Sequence, residues 1–183
     1  MAKAETRAGG LKAEVRMKDD GLSVEGYAAV FGEETDIAGL FREVIEPGAF
    51  TDAIGRDDVV FNINHAGLPL ARTRSGTLQL EEDERGLKMR TVLDREDPDV
   101  RSISGKMERG DLDKMSFAFF AEREEWDETG DMPLRRIKQV RLQDVSIVTF
   151  PAYEGTEIAL RSFAQSKPCD PLWRARQKAR LLR

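Results

Sequence analysis

A chain of 183 residues with 40% apolar and 34% charged side chains is long enough to bury one core under a heavily charged surface, the composition of a soluble single domain. Its net charge of -5 argues against a general nucleic-acid binder, which carries a basic excess, and no apolar run approaches the roughly 20 residues needed to cross a bilayer. The opening stretch MAKAETRAGGLKAEV lacks the apolar centre of a secretory signal, and the lone Cys169 forms no internal disulfide, so the sequence reads as intracellular. Cys169 and a single histidine together exclude a His/Cys zinc site.

Taken in chain order, the dominant signal is apolar-polar alternation. LKAEVRM (11–17) and GLSVEGYAAVF (21–31) flank Asp19-Asp20-Gly21 and predict a hairpin. LFREVIEPGAF (40–50) predicts a strand and a Pro-Gly turn, after which FTDAI begins a short helix with Thr51 near its cap. DVVFNINH (58–65) is the next strand, and TLQLEED with GLKMRTVLD makes a second hairpin across Glu84-Arg85-Gly86. DPDVRSISGKMERGDL is the best helix: Pro98 stands early, and Val100, Ile103 and Met107 recur at helical spacing. Two long strands follow, KMSFAFFAERE and LRRIKQVRLQDVSIVTF, joined by the polar turn DETGDMP. The total is about eight strands with one or two helices, a mainly β (α+β) fold. A closed or nearly closed antiparallel barrel is the simplest way to hide so many edges.

The expected domain spans residues 10–162, and residues 163–183 form a basic C-terminal tail. Lys167, Arg174, Arg176, Lys178, Arg180 and Arg183 stand there against one acid, Asp170. Such a tail is either a solvated extension or a docking or removable segment.

Three residues stand out by strand parity. His65, the only histidine, continues the parity of Val59, Phe61 and Ile63 just before Gly67 and Pro69. Partial burial there favours the neutral imidazole, which can accept a proton. Ser116 shares its side with Ala118, Phe120 and Glu122, while Met115, Phe117, Phe119 and Ala121 take the other. Asp144 is grouped with Val140, Leu142, Ser146, Val148 and Phe150, and a carboxylate on an apolar face is costly unless paired. Each has a plain structural explanation, since a lone histidine, a backbone-bonded serine and an anchoring aspartate are all common. Together they supply base, nucleophile and orienting acid, but spacing does not make them meet.

The runs GYAAVFGE, EVIEPGAF, NINHAGLPLART, DKMSFAF and LQDVSIVTFPAYEGTEI, in this order from about Gly26 to Ala159, resemble the prohead maturation protease family of tailed phages with the Hong Kong-type capsid protein. That family is related in fold to herpesvirus assemblin, a β-barrel serine protease with flanking helices. The resemblance implies His65 as general base, Ser116 as nucleophile and Asp144 as orienting acid, at a position where relatives often carry glutamate. Ala118 stands where many relatives have glycine. The implied substrates are the scaffolding segment of the major capsid protein precursor and the protease itself, inside the assembling procapsid in the bacterial host cytoplasm. A homodimer is a further implication, by analogy with assemblin. No cofactor, metal, membrane or specific nucleic acid is called for.

Two other classes compete with the protease. One is a non-catalytic capsid-assembly or scaffold-binding protein of the same fold. The other is a hydrolase using Glu81 and Glu82, a poor pair because adjacent strand residues point to opposite faces. Cys169 lies in the tail, which disfavours a cysteine protease.

Overall fold

The structure, a computed structural model, describes residues 4–12, 14–18, 21–37 and 39–150. Among them the first five strands are β1 (Glu5–Lys12), β2 (Glu14–Lys18), β3 (Gly21–Val30), β4 (Thr35–Ile37) and β5 (Phe41–Ile45). Helix α1 (Thr51–Arg56) leads to β6 (Val60–Ile63), β7 (Ala66–Arg72), β8 (Leu78–Glu82) and β9 (Gly86–Leu93). Helix α2 (Pro98–Glu108) precedes the long strands β10 (Lys114–Asp127) and β11 (Leu134–Val148). Among the described residues the fold is mainly β with two helices. Its strands outnumber the expected eight because β1, β4 and the Pro69-containing β7 carry weak sequence signals.

The strands form two sheets. One runs β1-β10-β11-β5-β4, with β6 and β7 branching from β11; the other runs β2-β3-β9-β8. Among the described residues neither sheet closes on itself. The pairings are antiparallel except that β5 and β6 both run parallel to β11. They lie end to end along it, β5 beside Leu134–Ile137 and β6 beside Asp144–Ile147, with α1 as the crossover between them.

The sequence periodicity explains the core. Met115, Phe117 and Phe119 on β10 meet Val140, Leu142, Val145 and Ile147 on β11 within one buried apolar cluster. Phe117 stacks on Phe119 at 5.1 Å and takes the edge of Phe50 at 5.5 Å. Helix α2 starts as its sequence predicts: Asp97 accepts a hydrogen bond from Asp99 N at 2.8 Å, Pro98 follows, and Val100, Ile103 and Met107 are buried. Helix α1 begins with Thr51 beside its cap, as expected, but the cap residue, Phe50, itself makes no side-chain bond. The carboxylate of Glu82 on β8 accepts from Gly48 N at 2.5 Å, Phe50 N at 3.1 Å and Thr51 Oγ1 at 3.2 Å. A longer side chain from a neighbouring strand thus satisfies orphan donors that the local threonine leaves open.

Strand β1 is fastened by charge. Arg7 donates to Glu43 through Nε at 2.6 Å and Nη2 at 3.0 Å, and to Glu5 through Nη2 at 2.8 Å. Arg135, with no exposed surface, bonds Glu5 at 2.7 and 3.0 Å, Glu43 at 2.9 Å and Glu124 at 2.8 Å. Burial works against the charge on Glu5, but the hydrogen bonds and positive charges of Arg135 and Arg7 outweigh it and hold the carboxyl below 4.5. A depressed carboxyl contributes stability above its unfolded pKa and loses it as pH falls through the folded value. Glu5→Gln is therefore expected to lower stability at neutral pH by about 3 kcal/mol. It should also flatten the fall in melting temperature between about pH 5 and pH 3 that thermal melts of the unaltered chain will show.

Candidate active site

Strand β6 ends at Ile63, which pairs with Ala66, so Asn64 and His65 form a two-residue hairpin loop. Their φ angles are 51° and 57°, the left-handed pair of a type I′ turn. Asparagine and histidine are both enriched in that region among non-glycine residues, although an L-residue generally enters it at a cost of about 1–2 kcal/mol. The neighbouring segment holds the turn in place. Asn64 N donates to Ile147 O at 3.0 Å, Thr149 N donates to Asn64 Oδ1 at 2.9 Å, and Asn64 Nδ2 donates to Thr149 Oγ1 at 3.3 Å. His65 N donates to Ser146 Oγ at 3.2 Å.

This turn corrects the parity assigned to His65. In the parallel ladder Phe61 stands beside Val145, on the core side, and Asn62 beside Ser146, on the other. Strand continuation would send His65 to the Phe61 side. Two left-handed residues instead carry its ring to the Asn62 side, where it meets Asp144 and Ser116.

Asp144 also lies on a different face from the one alternation assigns. Ala118 opposes Asp144 and Phe119 opposes Leu142, so β11 spans two residues where β10 spans one. This bulge reverses the phase of β11. Val140 and Leu142 face the core, while Asp144 and Ser146 face the side of Ser116 and Ala118. Ser116 itself follows the expected alternation, opposite Ser146 and between the core residues Met115 and Phe117.

The three residues come together. His65 Nε2 lies 2.7 Å from Ser116 Oγ, and His65 Nδ1 lies 2.6 Å from Asp144 Oδ1. A proton on Nδ1 directed at the carboxylate leaves the Nε2 lone pair for the serine hydroxyl. Ser116 is fully buried and Asp144 is 3% exposed, whereas the His65 side chain keeps 16% of its surface. The arrangement has the parts of a nucleophile, a base and an orienting acid.

Two further groups enter the site. Ser146, fully buried, donates to Asp144 Oδ1 at 2.9 Å while accepting from His65 N, tying the two residues together. Its signal is the Asp144-Val145-Ser146 spacing, which puts both polar side chains on one face. The second is the main-chain carbonyl of Arg7, which accepts the Ser116 hydroxyl at 2.7 Å. Side-chain chemistry gives no sign of a backbone oxygen, and only the pairing of β1 with β10 brings it there.

The carboxylates considered as an alternative do not converge. Glu82 holds the start of α1, and Glu81 is exposed. Among the described residues no three His, Cys, Asp or Glu side chains cluster to hold a metal ion, and no helix is long and apolar enough to cross a membrane. Cys169 and the basic tail lie outside the described residues.

A family model described as Caudovirus prohead serine protease matches residues 11–168. The chain is also similar to the prohead protease of Enterobacteria phage HK97, with 32% identity over 154 residues, 80% of this chain and 64% of that protein. It thus spans less than two thirds of that relative's length. No solved structure matches it significantly.

The turn at Asn64 is testable apart from any activity. Asn64→Ala places a residue poorly suited to positive φ and removes the bonds to Thr149, so thermal melts should show a loss of about 1–3 kcal/mol. Asn64→Gly keeps the φ and should lose less.

Proposed function

The chain belongs to the caudovirus prohead serine protease family, and we propose that it is a serine endopeptidase of phage head maturation, with Ser116 as nucleophile, His65 as general base and Asp144 as the acid that orients it. The observation that carries this reading is the pair of contacts on either side of the His65 ring, 2.7 Å to Ser116 and 2.6 Å to Asp144. Ser116 Oγ attacks the substrate carbonyl carbon as its proton passes to His65 Nε2. The imidazolium is stabilised by Asp144 and returns the proton to the leaving amine. Water then hydrolyses the acyl-enzyme by the same route.

The substrates in this reading are the scaffolding segment of the capsid protein precursor and the protease itself, cut inside the procapsid in the host cytoplasm. The name of the phage relative supports the setting; the identity of the targets is our inference. We further read the two sheets as a nearly closed barrel. Lys12 and Glu14 stand one residue apart, linking β1 in one sheet to β2 in the other. At the opposite seam Arg72 N donates to Thr77 Oγ1 and Thr91 Oγ1 donates to Thr77 O, bringing the β7–β8 turn against β9. Residues 10–162 would be the protease domain and residues 163–183 a tail that docks on the shell or is removed. A homodimer remains part of the proposal.

Co-expression with the cognate capsid precursor tests the reading. Ser116→Ala and His65→Ala should leave the precursor intact, and Asp144→Asn should slow cleavage by about 10⁴-fold because the histidine tautomer is no longer held. A serine-directed fluorophosphonate should label Ser116 in the unaltered chain. Normal processing by Ser116→Ala would refute the protease reading, and an intact precursor with the unaltered chain would favour the non-catalytic assembly protein.

A further inference from the structure

A serine nucleophile needs a peptide carbonyl within reach, and one is already there. Ser116 has no exposed surface, and its hydroxyl is bonded to the carbonyl oxygen of Arg7. Strand β1 lies antiparallel on the edge of β10, with Ala8 opposite Ser116 and Arg7 opposite Phe117. An extended peptide added to a sheet edge takes this position, main-chain bonds giving affinity and pockets for alternate side chains giving specificity.

The alternate side chains of β1 are Glu5 and Arg7, both buried, with Thr6 between them half-buried. Arg7 enters a pocket formed by Glu43, which it meets through two hydrogen bonds, and by the ring of Phe119, whose centroid lies 5.7 Å from the guanidinium carbon. A two-pronged contact of this kind is how arginine recognises a carboxylate. When β1 leaves the edge, Glu5 leaves with Arg7. Arg135 then keeps Glu124 and the Oε2 oxygen of Glu43, while Oε1, bonded by Arg7 at 2.6 Å, calls for another cation. Residues 5–10, six of the eight in β1, also precede the segment matched by the family model.

We propose that β1 lies in the place of a substrate strand, with Arg7 on the acyl side of the scissile position, and that Glu43 makes the enzyme select arginine or lysine there. This rests on the protease reading above. In a productive complex the substrate's basic residue takes the Arg7 pocket. Ser116 Oγ bonds to its carbonyl carbon, the proton goes to His65, and the following C–N bond breaks as the amine takes that proton. In β1 the hydroxyl meets the carbonyl oxygen, a contact that covers the nucleophile.

Peptides of sequence AETRAGGLK and its variants with lysine or glutamine in place of the arginine, incubated with the full chain and analysed by mass spectrometry, test this. Cleavage is expected directly after the arginine or lysine, with kcat/KM at least about 10-fold above the glutamine peptide. Glu43→Gln should bring kcat/KM for the arginine peptide down to that for the glutamine peptide, erasing the ratio between them; if that variant does not fold, the wild-type series decides. Arg7→Gln should speed fluorophosphonate labelling of Ser116 by loosening β1. Equal cleavage of the three peptides, or labelling unchanged in Arg7→Gln, would overturn the proposal. So would capsid precursor cut only after non-basic residues, an outcome that leaves the protease reading standing. An unlabelled Ser116 with an intact precursor would remove both.

Discussion

The ladder between β10 and β11 must satisfy two demands that simple alternation sets against each other. Val140 and Leu142 belong in the apolar core, while Asp144, at the same parity, would be a carboxylate among hydrocarbon if the strand stayed in phase. The bulge between Ala118–Asp144 and Phe119–Leu142 resolves the conflict by reversing the phase of β11 at one point. Beyond it Val145 and Ile147 take over the core, and Asp144 and Ser146 line up on the face that carries Ser116. Everything at the site follows from that reversal, because it places Asp144 and Ser116 on one face of adjacent strands before the histidine arrives.

His65 arrives by a separate device. The parallel pairing of β6 with Asp144–Ile147 fixes where the hairpin begins, and the left-handed pair Asn64 and His65 decides on which face the ring falls. The strained turn and the polar site support each other. Ser146 holds the backbone of His65 and the carboxylate of Asp144 with one hydroxyl, so turn geometry and acid position are coupled through a single buried atom. The Ser116 hydroxyl has one proton and two acceptors in reach, Arg7 O and His65 Nε2. A hydrogen bond to His65 and the attachment of β1 through Arg7 O therefore compete for that proton.

How far the sequence discloses this differs by residue. The alternation in KMSFAFF reads directly as two faces, because β10 stays in register from Met115 to Ala118. The helices are equally legible, α2 through its Asp97-Pro98 start and its spaced apolar residues. Asp144 and His65 are found as candidates while their faces are misread. A bulge and a pair of positive φ angles are created by tertiary pairing, and neither Gln143 nor the Asn64-His65 pair announces it. Strand β1 is harder still. Its described buried side chains are charged, so hydrophobic alternation cannot mark it. Its partners, Glu43 and Arg135, lie 36 and more than 100 residues away in the chain.

The two polar systems occupy opposite faces of the same strand pair, and this gives them a thermodynamic connection. Arg7 points its guanidinium at Glu43 among the buried charges and its carbonyl at Ser116 on the site side. Removing β1 from β10 separates a buried ion pair, which is costly when one charge is left without its partner. An incoming strand with a cation at the corresponding position restores the pair, and a strand without one does not. On the proposal made here, selectivity is then a difference between two complexes of the same edge. The charge cluster that keeps the nucleophile covered is also what distinguishes the peptide that uncovers it.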